Sequence, residues 1–283
     1  MGAALKQDDL VDHFFVGSTH DWILFFTNKG RVYRAKAYEL PEANRNARGQ
    51  HVANLLAFQP DEEIADVITL KNYEVAPYLV LATKHGLVKK TKLTDFDSNR
   101  SGGLVAINLR EDDELIDAAL ISAAHDLLLV SRKAMSIRFT ADDDALRPMG
   151  RATSGVFGMR FNDGDALLSM VVVEDENAEI LVATEGGYAK RTRVGEYPVQ
   201  GRGGKGVLTA RIVSTRGGLV GAIAVAPKDE IYAITSDGVV IRTTAGEVRR
   251  AQRQTMGVRL MNLPDGVLLN AIARNADEPE EQE

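Results

Sequence analysis

The heptapeptide Gln200-Gly201-Arg202-Gly203-Gly204-Lys205-Gly206 is the stretch whose residue types point most directly to chemistry. Four glycines let backbone N–H groups approach an anion closely, and Arg202 and Lys205 neutralise it, so the segment reads as a seat for phosphate. It contains G-x-G-x-x-G, but a dinucleotide fingerprint must follow a strand and open a helix. Here Pro198 lies just upstream, and Val207 to Ile212 downstream reads as strand. A Walker loop is excluded because Lys205 is followed by Gly206 rather than Ser or Thr. Alone, the heptapeptide is equally compatible with a flexible linker between two elements.

Other cations recur at matching places. Counted from a turn residue at Gly30, Gly86, Ala134, Gly187 or Gly238, a cation stands four positions on: Arg34, Lys90, Arg138, Arg191 and Arg242. Lys36, Lys92 and Arg193 stand two further along. The loops that follow carry Arg45 and Arg48, Arg100, Arg147 and Arg151, Arg202 and Lys205, then Arg249, Arg250 and Arg253. Strand alternation puts residues i and i+2 on one face, so cations held in register over five segments predict one outward, continuous basic stripe. Such a stripe suits an anionic polymer, since duplex DNA carries one charge per about 1.7 Å of its axis. The competing reading is that Lys and Arg only keep surface strands soluble and discourage edge pairing.

The elements that must position these residues form a five-fold repeat. Five segments share β-rich residues, a tight turn and a second β-rich run: 23–36, 79–92, 127–140, 180–193 and 231–244. Gly occupies four of the five turn positions, as expected where φ is positive, and Ala134 predicts a strained or altered third turn. Each hairpin leads through a basic loop to a second glycine, at Gly49, Gly103, Gly155, Gly206 and Gly257. Further strands are expected at 52–56, 104–109, 156–161, 207–212 and 258–263, then at 64–70, 167–173, 219–225 and 267–273. Four strands per roughly fifty residues make a propeller-like blade. The fold class is therefore all-β, with about five four-stranded blades, and a β-sandwich is the alternative. Residues 1–19 read as a lead-in strand or linker, 20–275 as the blade domain (repeats near 20–76, 77–124, 125–176, 177–226 and 227–275) and 276–283 as a disordered acidic tail.

Composition removes several function classes. Cysteine is absent, which excludes disulfides and thiolate metal sites, and the five histidines lack ligand spacing. No run of about 18 apolar residues exists, and the N-terminus lacks a signal-peptide core, so a cytoplasmic location with no membrane partner is expected. The net charge of −6 conceals a near-neutral body, because five acidic residues fall among the last seven. With fields screened beyond about 8 Å, the placement of cations matters more than their sum. No catalytic constellation is legible, and Tyr33, Tyr78, Tyr188 and Tyr232 read as packing residues.

The heptapeptide resembles the box of the C-terminal DNA-wrapping domains of DNA gyrase A, whose usual form is Q-R-R-G-G-K-G, with Gly201 in place of the first Arg. GRVYRAKA (30–37), YELPEA (38–43), ARG (47–49), GLVKKT (86–91), GYAKRT (187–192) and QTMGVRL (254–260) resemble the same family, which covers roughly residues 5–275. The resemblance implies a β-pinwheel whose blades exchange strands, a monomeric domain that bends duplex DNA around its outer edge, and partners in the rest of gyrase A and in gyrase B. It implies no catalysis and no cofactor in this chain, with ATP and magnesium held elsewhere in the holoenzyme. In the family the box normally sits in the first blade, ahead of a segment like Leu5 to Val11. Here it falls in the fourth repeat, which leaves a sixth blade, missing or incomplete, an open expectation. The homologous C-terminal domain of topoisomerase IV and a propeller that binds an acidic protein are the alternative readings.

Overall fold

Left-handed turns set the hairpins. Gly30, Gly86, Gly187 and Gly238 have φ of +78° to +88°, and Ala134 adopts φ +67° at the third turn. The Ala134 N–H still closes the turn onto the Ser131 carbonyl at 3.0 Å, so that turn keeps its geometry and bears the strain of a Cβ.

The computed structural model describes residues 13, 15, 17–44 and 47–275; the expected segment 5–11, the acidic tail 276–283 and Arg45 lie outside them. The hairpins are β1 (Trp22–Thr27) with β2 (Arg31–Lys36), β4 (Tyr78–Thr83) with β5 (Leu87–Lys92), and β8 (Asp126–Ser131) with β9 (Met135–Thr140). Then come β12 (Glu179–Thr184) with β13 (Tyr188–Arg193), and β16 (Glu230–Thr235) with β17 (Val240–Thr244). Each is joined on its first strand by a later strand of the same repeat: β3 (Ile64–Leu70), β7 (Leu115–Ile121), β11 (Leu167–Val173), β15 (Leu219–Val225) or β19 (Leu269–Arg274). These five pack successively against one another as a hub, and among the described residues helix is confined to short 3-10 turns.

The fourth strand of each of the first four blades comes from the next repeat. The two-residue strands β6 (Leu104–Val105), β10 (Val156–Phe157), β14 (Val207–Leu208) and β18 (Val258–Arg259) pair antiparallel with β2, β5, β9 and β13. They are shorter than the expected six-residue strands. The expected strand at 52–56 is instead a 3-10 turn at Val52–Asn54, and the fifth sheet has three strands, β17-β16-β19. One cause accounts for both departures: among the described residues no blade precedes the first repeat to accept its segment, and no repeat follows the fifth to donate one. Leu56 and Phe58 fold back onto Phe25 and Tyr33, while Val239 and Ile241 are left exposed at the edge.

The middle blades bury both faces, and their strands are accordingly apolar without alternation. On β4, Leu79 and Leu81 face the first blade while Val80 and Ala82 face the third; β8 and β12 repeat the arrangement. Polar staples link the hub strands. Asp66 accepts from the Ala118 N–H and Asp117 from the Met170 N–H, both at 3.0 Å, and Ser169 Oγ donates to the Ala222 carbonyl at 2.9 Å. The innermost strands therefore carry carboxylates among their apolar residues. Burial, then the neighbouring Asp66 carboxyl, raises the Asp117 pKa well above the ordinary carboxylate range.

Candidate nucleic-acid interface

Four loops, 97–103, 147–155, 198–206 and 249–257, lead into the exchanged strands and follow one another along the outer edge of the blades. Each ends in a left-handed glycine: Gly103, Gly155, Gly206 and Gly257, with φ of +73° to +81°. Glycine is needed there because the chain lies against the preceding blade. A Cβ would stand 1.9 Å from the Ser136 carbonyl oxygen at Gly206 and 2.4 Å from that of Val88 at Gly155. Gly49, the first-repeat equivalent, meets nothing within 4 Å.

Four residues before three of these glycines stands an arginine that ties its loop backwards, whereas Asn99 holds that place before Gly103. Arg151 donates to the Val105 carbonyl (3.0 Å), Arg202 to that of Phe157 (3.1 Å) and Arg253 to that of Leu208 (2.8 Å). Each acceptor is the last residue of the exchanged strand one repeat earlier. Arg202 also holds the Ala145 carbonyl at 2.7 Å, and Lys205 Nζ donates to Asn162 at 2.7 Å. The Gln200 N–H bonds the Arg138 carbonyl and the Gly203 N–H that of Gly158, so the heptapeptide is a fitted rim segment bridging the second and third blades. Arg202, Gly201, Gly204 and Lys205 remain exposed within it.

The turn-plus-four cations correct the expectation of an outward stripe. They are in register, but four of the five turn inward and are neutralised. Side-chain exposure is 12% at Arg34, 0% at Lys90, 5% at Arg138 and 9% at Arg191, against 64% at Arg242. Arg34 stacks 4.0 Å from the Trp22 ring and bonds Tyr73, Asp97 and Asn99. Lys90 holds the Ala141 carbonyl (2.6 Å) and Asp143 (2.8 Å). Arg138 pairs with Asp126 and Glu176 and reaches the Val194 carbonyl. Arg191 pairs with Glu179 and holds the carbonyls of Val248 and Gly246. In each case a partner lies on the next repeat, which makes this row a forward clasp between blades. Arg242 bonds Glu230 of its own hairpin, and among the described residues no sixth repeat supplies it a further partner.

The remaining cations divide. Arg48, Lys92, Arg100, Arg147, Arg193 and Arg249 are exposed; Lys36 is half-buried, with Nζ 4.1 Å from the Trp22 ring; Arg250 is exposed but paired with Glu179. Sequence reasoning missed a second set that borders the exchanged strands, in which Arg110, Arg160 and Arg259 are exposed and Arg216 is half-buried. Arg110 and Arg160 flank the Phe157 ring at 5.3 and 4.5 Å, and Arg160 also holds the Gly203 carbonyl. Arg216 and Arg259 flank the Tyr188 ring at 3.7 and 5.6 Å. The usable signal was an arginine near each expected outer strand, interleaved with aromatics.

Two lysines at turn-plus-three are buried beneath the loops. Lys89 Nζ gathers the carbonyls of Ala106, Gly150, Arg151 and Thr153; Lys190 Nζ gathers those of Gln252 and Arg253 and the Thr255 hydroxyl. Burial, reinforced by the Arg151 charge, pulls Lys89 down to about 7, and burial brings Lys190 to about 8. Ile137 takes this place beneath the heptapeptide, where Gly204 lies against it.

Segments 21–71, 77–122, 125–174, 178–226 and 229–275 match the family model for the DNA gyrase C-terminal domain, β-propeller, one segment per blade. The chain belongs to this family. Across its whole length it is 71% identical to the DNA gyrase A protein of Mycolicibacterium smegmatis, and it spans 33% of that relative. A solved gyrase A C-terminal domain superposes with a TM-score of 0.79 at 27% identity, over 91% of this chain and 83% of the other. The C-terminal domain of a DNA topoisomerase IV gives 0.80 at 28% identity, over 90% and 79%. The five matched segments of the gyrase C-terminal family thus coincide with the five blades.

Proposed function

We propose that this domain binds duplex DNA along the four rim loops and bends it around the outer edge, and so sets the direction of supercoiling by a gyrase formed with the rest of gyrase A and with gyrase B. The observation that carries the reading is the succession of fitted loops with exposed cationic groups: Arg100, Arg147, Arg202 with Lys205, and Arg249. The domain's part is binding and bending; ATP, magnesium and strand cleavage belong to other parts of a cytoplasmic holoenzyme.

The energetics require many contacts. Turning 40 bp through a half-circle costs roughly 11 kcal/mol for a persistence length of about 150 bp. One basic heptapeptide cannot offset that, whereas successive rim cations on five blades supply contacts in the number needed. Because the inward row is already neutralised, the load falls on the loop cations and on Arg110, Arg160 and Arg259.

Binding should be weakly sequence-selective and steeply salt-dependent, with a log–log slope near −0.9 per phosphate neutralised. Arg202→Ala with Lys205→Ala should reduce that slope by about two units and leave thermal unfolding nearly unchanged. Relaxed circular DNA closed by a nicking-closing enzyme should gain a linking-number change with the wild-type domain. No change in linking number, together with equal affinity at low and high salt, would remove the reading. Capture of an acidic protein that plain plasmid DNA cannot displace would favour the alternative.

A further inference from the structure

The Lys89 ammonium is closed off from solvent, yet it sits beneath an exposed rim loop and draws the carbonyls of Gly150, Arg151 and Thr153 inward. In a trans peptide the C=O and the following N–H point in opposite directions, and no cis peptide occurs among the described residues. The N–H groups of Arg151 and Ala152, which follow the Gly150 and Arg151 carbonyls, are therefore turned away from Lys89 and towards the rim. Among the described residues neither N–H has a hydrogen-bond partner.

The fifth repeat shows what such a group accepts. Lys190 draws in the Gln252 carbonyl at 2.7 Å, and the N–H that follows it, on Arg253, meets an oxyanion: Glu196 Oε2 at 3.3 Å. Arg253 and Arg151 hold the same place, four residues before Gly257 and Gly155. The residue equivalent to Glu196 in the second repeat is Asp95, one methylene shorter, and among the described residues it takes no bond from the 147–155 loop. The seat that a carboxylate fills in the fifth repeat is thus open in the third.

Resting on the DNA-binding reading above, we propose that the consecutive N–H groups of Arg151 and Ala152 form a seat for one backbone phosphate of duplex DNA, with buried Lys89 as the positioning residue that holds it open. Two adjacent amides facing one way make an anion-binding concavity, the Arg151 guanidinium beside it adds positive charge, and a phosphate seated above would favour the protonated form of Lys89 beneath. The heptapeptide reaches the same end by another route: glycines fit its backbone over Ile137, and Arg160 gathers the carbonyls of Gly203 and Gly204 through its side chain and its own N–H.

The test is an amide NMR titration of the 283-residue chain with a 12-bp duplex, on wild type and on Lys89→Met. The Arg151 and Ala152 amides are expected among the largest shifts in the wild type. Lys89→Met is expected to lose those shifts, to bind about ten-fold more weakly with a salt slope smaller by about one unit, and still to unfold in a single transition. If rim amides elsewhere shift while Arg151 and Ala152 stay still, the seat is overturned and the DNA-binding reading stands. If no rim amide shifts, the broader reading falls first. Should Lys89→Met fail to fold, the wild-type titration decides the matter alone.

Discussion

Two rows of cations run through this molecule at the same repeat spacing and meet opposite fates. The turn-plus-four row, Arg34 to Arg191, lies inward, each member bonded to at least one group of the following repeat; the loop row, Arg100 to Arg249, lies outward with its cationic groups exposed. Periodicity reports that a residue does the same job in every blade. It does not report whether the job is to hold the next blade or to meet a polymer. What separates the rows is the availability of buried acceptors, and those arrive from a repeat some fifty residues away.

The sharpest way to break the comparison is to remove an inward member. Arg191 bonds Glu179, itself 2% exposed, and the Val248 and Gly246 carbonyls. Arg191→Met should destabilise the domain by about 3 kcal/mol, the low end for orphaning a buried partner, because Arg250 still touches Glu179. Thermal or urea unfolding measures it, and a change below about 1 kcal/mol would show that the clasp is ornamental.

Gly206→Ala tests the fit of the outward row to its scaffold. A left-handed φ of +73° costs a non-glycine residue about 1–3 kcal/mol, and the added Cβ collides with the Ser136 carbonyl. The exchanged strand β14 must then lift from β9, so stability should fall by about 2–3 kcal/mol and the salt slope should flatten. Gly201→Ala in the same heptapeptide meets nothing within 4 Å and should change neither quantity.

The hub offers a pH-dependent counterpart. The Asp117 pKa is raised by burial and by Asp66, so the folded state holds a proton that the unfolded state releases near pH 4. The folded state then binds more protons than the unfolded one, and stability declines as pH rises from that point through the raised pKa. Asp117→Asn should flatten this decline, with the difference from wild type growing towards neutral pH in urea titrations at pH 4, 5.5 and 7.

These contrasts mark what the sequence could and could not disclose. The turn glycines, the continuous apolar runs of β4, β8 and β12 and the glycine before each exchanged strand all follow from local sterics and are legible from residue type. Strand exchange was legible only through family resemblance, because two-residue strands such as Val207–Leu208 carry no pattern of their own. The heptapeptide's glycines were legible as backbone that can approach another group closely, and at Gly206 that group is the Ser136 carbonyl. The burial of Lys90 and Arg138 was illegible: it depends on the Ala141 and Val194 carbonyls, which the chain brings up only after another hairpin has formed. Asp66 and Asp117 were missed for the same reason, as their partners are backbone N–H groups of the neighbouring hub strand.

Arg242 gives the smallest expected effect and the cleanest control. It occupies the same turn-plus-four position as Arg191, but its guanidinium is largely exposed and pairs with Glu230 of its own hairpin. Exposed ion pairs contribute at most about 1 kcal/mol and often nothing measurable. Arg242→Ala should therefore leave unfolding within about 0.5 kcal/mol of wild type, where Arg191→Met does not. A loss at Arg242 matching that at Arg191 would mean that the position stabilises its own hairpin rather than the next blade, and the clasp would be the wrong account of the whole inward row. Indifference at Arg242 beside a large loss at Arg191 assigns the energy to the Val248 and Gly246 carbonyls that the following repeat brings, since each arginine has a carboxylate of its own hairpin, Glu179 or Glu230.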